Sequence, residues 1–442
     1  MLKHTFVFMK YRFFLILAST LLFYSCSPSR QIAKSAKENV LKIEALQTAH
    51  VGISIYEPAT GKYWYNYQGD NYFIPASNTK LPACYAAMKY LGDSLIGLRY
   101  LDIDDSTLLV QPTGDPTFLH LEFLNQRPKE LLVSKKKQMK LDFSVWMDHA
   151  LGSGWGWNDY NESYMAERSV MPIYGNVVTI SGTGTNWNFF PSIKGKFIDE
   201  GGGEYLSSVI RERAANIYHL KFGGKIERKI SIPYNTENPE TIAALLKDII
   251  KKQVSITTDS EIILRNKFNL VHSQPTDSLL KPMMHRSDNF FAEQSLLMVS
   301  NELLGVMNDA KIIDTLLKTD LIDLPQKPRW VDGSGLSRYN LFTPQDFVFI
   351  LNKMKTDFGM ERVKNILPTG NEGTLEGRFI ADSNYIFAKT GTLSGVVALS
   401  GFLYTNKNKL LIFSFLVNNH NTSATQVRRA MEKFIQEVRR KY

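Results

Sequence analysis

Pro75-Ala76-Ser77-Asn78-Thr79-Lys80 stands directly before an apolar run, residues 81–91, whose length and composition predict a helix. Positions three apart share a helix face, so an ammonium on Lys80 reaches the hydroxyl of Ser77. With Ser77 in the first turn, its backbone N–H has no helical acceptor and is free to donate to a developing oxyanion. A nucleophile, a base and half an oxyanion hole thus fall within four positions. The Ser-x-x-Lys spacing alone is weak, because Ser134 with Lys137 and Ser278 with Lys281 repeat it. Two further triplets single out the first: Ser287-Asp288-Asn289, and Lys389-Thr390-Gly391, which occurs once in the chain.

On either side of this stretch the pattern changes period. Residues 51–56 and 63–67 read as strands joined through Pro58-Ala59-Thr60-Gly61, a hairpin entering the nucleophile helix. Near the other end, residues 385–388, 396–404 and 410–417 are strand-like, with Asn406-Lys407-Asn408 as a turn. Apolar residues at helical spacing, Ala33, Ala36, Val40, Ile43 and Leu46, predict a helix over 32–46; Val427, Met431, Phe434 and Val438 predict a closing one. One antiparallel sheet built from both chain ends brings Lys389 beside Ser77, because loop closure grows costly only slowly with length. Between residues 95 and 262 short β-like runs, glycine turns at 152–156 and 201–203, and many aromatics predict an inserted, mostly β domain, with a helix over 241–251.

The chain has 442 residues, 44% hydrophobic and 21% charged, enough for two or three domains with large cores. The net charge is +9, but Lys3, Lys10 and Arg12 belong to a leader. The remainder implies attraction to anionic envelope polymers or lipid and no nucleic-acid binding; the basic run at 134–137 reads as a solvated loop. Lys10 and Arg12 precede an apolar run, 13–24, too short to span a bilayer comfortably, which ends at Ser25-Cys26. With Leu21 and Leu22 upstream, this resembles a bacterial lipobox, and a lipidated Cys26 tethers the protein to a membrane from outside the cytoplasm. Simple cleavage nearby and an uncleaved anchor are the alternatives. Only Cys84 then remains, so no intrachain disulfide is expected and Cys84 reads as core packing. No metal cluster or nucleotide loop is visible in the sequence, and neither a metal nor a cofactor is expected.

Taken together, these stretches resemble the class C low-molecular-mass penicillin-binding proteins, the D-alanyl-D-alanine carboxypeptidase/endopeptidases of the penicillin-binding protein 4 type. Beyond the triplets, the resemblance rests on Gly114-Asp115-Pro116, Gly156-Trp157-Asn158-Asp159, the run from His285 through Phe291 to Glu293, the run from Asp332 to Arg338, and Gly373-Thr374-Leu375 with Arg378. It implies an α/β (α+β) penicillin-binding/β-lactamase-like transpeptidase fold, an antiparallel sheet flanked by helices with a large domain inserted after the Ser-x-x-Lys helix. The expected divisions are a signal peptide at 1–25, catalytic parts at 26–94 and 263–442, and the insert at 95–262. Departures from relatives are Pro82, expected just beyond the first helical turn and so to kink it, Thr369 where a small apolar residue is frequent, and a shorter insert.

The chemistry implied is acyl transfer on peptidoglycan stem peptides in the envelope, on the periplasmic side, with β-lactams as inhibitors. Ser77 attacks the carbonyl between two D-alanines. Lys80 acts as base only if neutral, and burial together with a positive Lys389 is expected to lower its pKa from about 10.4. Ser287 relays a proton to the leaving amine, and Asn289 holds the substrate amide or the Lys80 head. Lys389, Thr390 and Thr392 hold the terminal carboxylate, Gly391 lets substrate backbone approach the strand, and Thr392 N–H completes the oxyanion hole. Asp159 and Arg338 match a pocket for the zwitterionic diaminopimelate end of the stem peptide; a turn cap and a structural ion pair are their bland alternatives. Two rival readings differ in class. A serine β-lactamase or esterase would use Tyr174-Gly175-Asn176, or Glu361 with Asn365. A catalytically silent peptidoglycan-binding lipoprotein would need no reactive Ser77.

Overall fold

The computed structural model describes residues 28–183, 186–258 and 267–442; the expected leader, Cys26 and the expected boundary at residue 262 lie outside the described residues. Both chain ends meet in one antiparallel sheet, in the order Ile386–Leu393, Val396–Tyr404, Leu410–Asn418, His50–Glu57, Lys62–Tyr67. Its central strands read as near-continuous apolar runs, interrupted by Ser54, Ser400 and Ser414, because both faces are covered. Along Leu410–Asn418, Leu411, Phe413, Phe415 and Val417 turn to one core, and Ile412 and Leu416 to the other. The first core is closed by Pro28–Ala36 and Ala424–Lys441, the second by Lys80–Tyr90, Thr276–His285, Asn289–Leu304 and Pro344–Phe358.

Two expectations shift in detail. The first helix is α over Pro28–Ala36, then widens into a π turn, Lys37–Leu41, and ends in a 3₁₀ turn, Glu44–Leu46. Of the residues whose spacing predicted this helix, Ala36, Val40 and Leu46 reach the core and Ile43 packs against it, but Ala33 is exposed and Ile32, four residues before Ala36, is buried in its place. The α-helix of the nucleophile segment starts at Lys80, after a 3₁₀ turn over Ala76–Thr79. Pro82 therefore lies inside the first α-turn, where an N–H has no acceptor within that helix, and the reason for a kink disappears. Asn289–Leu304 is buried on every face from Phe290 to Asn301, polar residues such as Glu293 and Gln294 included, making it the central helix that the nucleophile helix packs against.

The insert leaves along Ser94–Asp102 and returns along Asn269–Pro275, and these two strands pair antiparallel. They belong to a mixed sheet ordered Val254–Thr257, Gln138–Asp142, Thr107–Pro112, Ser94–Asp102, Asn269–Pro275. Pairing of exit with return holds the two halves of the catalytic unit together across the long excursion. A second sheet contains Lys229–Pro233, Val177–Thr183, Tyr205–Arg211, Ile217–Gly224 and Lys196–Asp199 in that order, with Asn186–Phe190 beside Val177–Thr183. Val110 and Leu141 of the first sheet, Val178 and Leu220 of the second, and Leu246 of the helix Pro239–Ile250 share one core. Leu297 of the central helix and Met307 enter that same core, so the insert is docked on the catalytic unit by buried apolar surface.

Candidate active site

The nucleophile turn is held in an unusual backbone conformation from several sides. Ala76 has φ 47°, a left-handed value that a non-glycine residue keeps only when its surroundings impose it. Its carbonyl accepts from Thr79 Oγ1 at 2.8 Å. The same carbonyl packs on Gly335, where a Cβ would come within 2.0 Å of it. Asn78 Nδ2 donates to Ser400 Oγ at 2.6 Å, and Ser400 Oγ donates to Ser414 Oγ at 2.8 Å, tying the turn to two sheet strands through buried polar groups. A Cβ on Gly391 would lie 2.8 Å from Pro75 O and 3.0 Å from Ser77 N. The neighbour that excludes a side chain at Gly391 is thus the nucleophile turn itself, which presses the Ser77 amide against the edge strand.

Three distant motifs converge on this turn. Lys80 Nζ lies 3.2 Å from Ser77 Oγ and donates to Asn289 Oδ1 at 2.6 Å and to the Ser334 carbonyl at 2.7 Å. Lys389 Nζ donates to Ser287 Oγ at 2.9 Å and to Thr390 O at 2.7 Å. Asp288 caps the central helix by accepting from Phe291 N at 3.0 Å, and the cap puts Asn289 on the first turn. Ser287, with φ 61°, turns back from that cap toward Lys389. Ile386–Leu393 is the sheet edge: Pro368 and Thr369 cover it at Phe387 and Ala388, leaving the segment from Lys389 onward without a strand partner on its outer side among the described residues.

A cavity of about 580 Å³ opens over these groups, lined by Ser77, Ser287, Asn289, Thr392, Asp159 and Arg338 among others. Lys80, Lys389, Thr390 and Gly391 lie behind that lining and are buried. Asp159 ends the short turn Trp157–Asp159, and Arg338 Nη2 donates to Ser394 O at 2.9 Å. Cys84 is buried and free, as core packing requires.

Burial decides the electrostatics. It pushes the Lys80 pKa down to about 8, against the opposing pull of the Asp332, Asp288 and Glu293 carboxylates. Lys389 is driven well below the usual lysine range by burial first and by the charge of Lys80 second. Of the two expected causes, burial acts on Lys80 and a positive Lys389 does not, because Lys389 is itself driven below the usual lysine range.

Several supporting residues receive no role from the sequence, even where they lie in the runs 285–293 and 332–338. Ser334 contributes through its backbone carbonyl, which no side-chain pattern announces. Its N–H donates to Glu293 Oε1 at 2.7 Å, and Arg168 Nη1 reaches Glu293 Oε2 at 3.3 Å and Asp309 Oδ2 at 2.7 Å, while Nη2 reaches Asp148 Oδ1 at 2.8 Å. Asp332 gathers the N–H groups of Gly335 and Ser337, the Asn340 amide and Trp155 Nε1, which fastens the 152–156 loop to the cavity wall. Tyr164 accepts from Asn289 Nδ2 through its carbonyl at 2.9 Å. The rival patterns lie elsewhere. Asn176 is buried and donates to Glu167 O at 2.7 Å and Ser169 Oγ at 2.9 Å, and Glu361 pairs with Lys364 on the helix Met360–Ile366.

The fold and this constellation define a class, the serine penicillin-interacting peptidases. The chain belongs to the D-Ala-D-Ala carboxypeptidase 3 (S13) family, which it matches over residues 32–187 and 234–438. It is similar to the D-alanyl-D-alanine carboxypeptidase DacB of Haemophilus influenzae, 25% identical over 428 residues that cover 85% of this chain and 87% of that protein. It is also similar to the D-alanyl-D-alanine carboxypeptidase of Actinomadura sp. strain R39, 26% identical over 447 residues covering 87% and 80%. The crystal structure of penicillin binding protein 4 (dacB) from Haemophilus influenzae matches with a TM-score of 0.73 at 20% identity, covering 92% of this chain and 98% of that one. The same protein complexed with a β-lactam matches at 0.70 and 18% identity, over 92% and 99%. The expected enzyme class, a serine-type D-Ala-D-Ala carboxypeptidase, is that of the family.

Proposed function

We propose that Ser77 Oγ attacks the carbonyl carbon between two D-alanines of a peptidoglycan stem peptide, forming an acyl-Ser77 ester and releasing the second residue. Water then hydrolyses the ester and frees the shortened peptide. The observation that carries this reading is the set of partners around Lys80 Nζ. A neutral amine has two protons and one lone pair. Asn289 Oδ1 and Ser334 O can only accept, so they take both protons, and the lone pair is left for the hydroxyl of Ser77. Lys80 is then the acceptor of the Ser77 proton, and a pKa near 8 keeps about a tenth of it neutral at pH 7.

The other groups follow their positions. Ser287, accepting from Lys389, has its own proton available for the leaving amine. Ser77 N–H and Thr392 N–H serve as the two oxyanion donors. Thr390 and Thr392 lie at the strand end where the terminal carboxylate binds, and Asp159 with Arg338 offers opposite charges to the zwitterionic end of diaminopimelate. The same centre cuts cross-links when a longer chain occupies the leaving side, so endopeptidase activity accompanies carboxypeptidase activity. β-Lactams acylate Ser77 and inhibit. With Cys26 lipidated after removal of the leader, the enzyme works on the periplasmic side of the envelope.

Release of D-alanine from a stem pentapeptide by the purified protein, and its loss in Ser77→Ala, tests the reading; equal release by both sinks it. Labelled penicillin should stay on the wild type for minutes or longer. Rapid turnover of penicillin would instead favour the β-lactamase. Mass spectrometry of digested muropeptides separates loss of terminal D-alanine from cut cross-links.

A further inference from the structure

The strand end at Thr392 has a partner that no motif announces. Arg428, on the closing helix Ala424–Lys441, donates through Nη2 to Thr392 Oγ1 at 2.8 Å. Glu432, one turn further on, accepts from Phe379 N at 2.6 Å, and no ion pair engages Arg428 among the described residues. Thr392 itself is exposed and lines the cavity beside Ser77. Resting on the peptidase reading above, we propose that Arg428 determines specificity for a free C-terminal carboxylate at the Thr392 end of the cavity.

Hydrogen-bond direction is the first argument. A threonine hydroxyl carries one proton, and a guanidinium can only donate, so the Arg428 contact occupies a lone pair of Thr392 Oγ1. The proton of Thr392 is thereby released to donate into the cavity. A substrate end with only acceptors, a carboxylate, suits it; a terminal amide must be turned to present its one oxygen there.

Charge supply is the second argument. Lys80 and Lys389 are engaged with Asn289, Ser334, Ser287 and Thr390, and neither lines the cavity. Arg338 does line it, but in the company of Asp159. Arg428 is left as a cation one hydrogen bond behind the cavity wall. Arg378, its pKa depressed first by burial, also feels the opposing charge of Arg428, which the Glu432 carboxylate only partly offsets.

The test compares two acylated peptides, one ending in D-Ala-D-Ala and one in D-Ala-D-alaninamide, by kcat/KM. Wild type should prefer the carboxylate by tenfold or more. Arg428→Gln should shrink that ratio about tenfold, mainly through KM for the carboxylate peptide. Arg428→Lys, which keeps a cation of shorter reach, should retain part of the preference. A preference unchanged in Arg428→Gln, equal losses on both peptides, or a lysine variant as indifferent as the glutamine one overturns the proposal. A wild type that cleaves neither peptide sinks the peptidase reading itself, whereas an active one whose preference survives Arg428→Gln sinks this inference alone.

Discussion

Burial strips Lys80 Nζ of water, and its pKa falls from 10.5 to about 8. If neutral Lys80 takes the Ser77 proton, penicillin acylation should climb with pH and level off above about 8; stopped-flow labelling between pH 6 and 10 measures it, and a flat profile refutes that role. The same shift has a stability consequence with the opposite tilt from a paired lysine. Between pH 8 and 10.5 the unfolded chain binds more protons than the folded one, so the folded state gains stability as pH rises through that window, by about 3 kcal/mol in all. Lys80→Met lacks this gain. Its stability relative to wild type, from denaturant unfolding, should therefore be most favourable at pH 7 and decline toward pH 10, while acylation is lost. At Gly391 the limit is steric: Gly391→Ala puts a methyl carbon 2.8 Å from Pro75 O and 3.0 Å from Ser77 N. Acylation should drop tenfold or more while the melting temperature moves by a few degrees at most; unchanged acylation would mean that the turn yields freely.

At the scale of elements, the 3₁₀ turn of Ala76–Thr79 and the loop 332–338 hold one another, and neither is regular structure. What fixes them is a buried charge cluster, Arg168 with Glu293, Asp309 and Asp148, whose guanidinium also stacks 5.5 Å from the Trp155 ring. Arg168→Met leaves three buried or half-buried carboxylates without their cation. Removing one partner of such a cluster costs about 3–5 kcal/mol, since the remaining charges keep their desolvation penalty. Thermal unfolding should report a loss of that size, and the acylation rate should fall with it because Glu293 positions the Ser334 N–H. Asn78→Ala, which removes the Asn78–Ser400 contact in the same turn, should cost about 1–3 kcal/mol.

For the whole molecule, the closing helix is what keeps the catalytic sheet dry on its far side. Val427, Met431, Phe434, Ile435 and Val438 are buried there, and at about 1.5–3 kcal/mol each their burial rivals a typical net stability of about 5–15 kcal/mol. A chain ending at residue 423 should therefore lose both penicillin labelling and a cooperative melt by circular dichroism; a folded, labelled truncation would contradict this. The strands, the closing helix and the three motifs around Ser77, Ser287 and Lys389 were legible in the sequence because each depends on local chemistry: an apolar period, a Ser-x-x-Lys before an apolar run, a unique Lys-Thr-Gly. The starting point of the helix at Lys80 was not, because tertiary contacts at Ala76 and Gly335 override local preference there. Nor were Ser334, Arg168 and Arg428 legible. The first acts through a backbone carbonyl and the other two through partners distant in the chain, 125 residues away at Glu293 for Arg168 and 36 at Thr392 for Arg428. The sequence by itself determined which reactive groups this protein has and their order along the chain. Only the tertiary structure decided which of them lose their water and which atoms they face, because burial and hydrogen-bond direction arise when distant segments pack together.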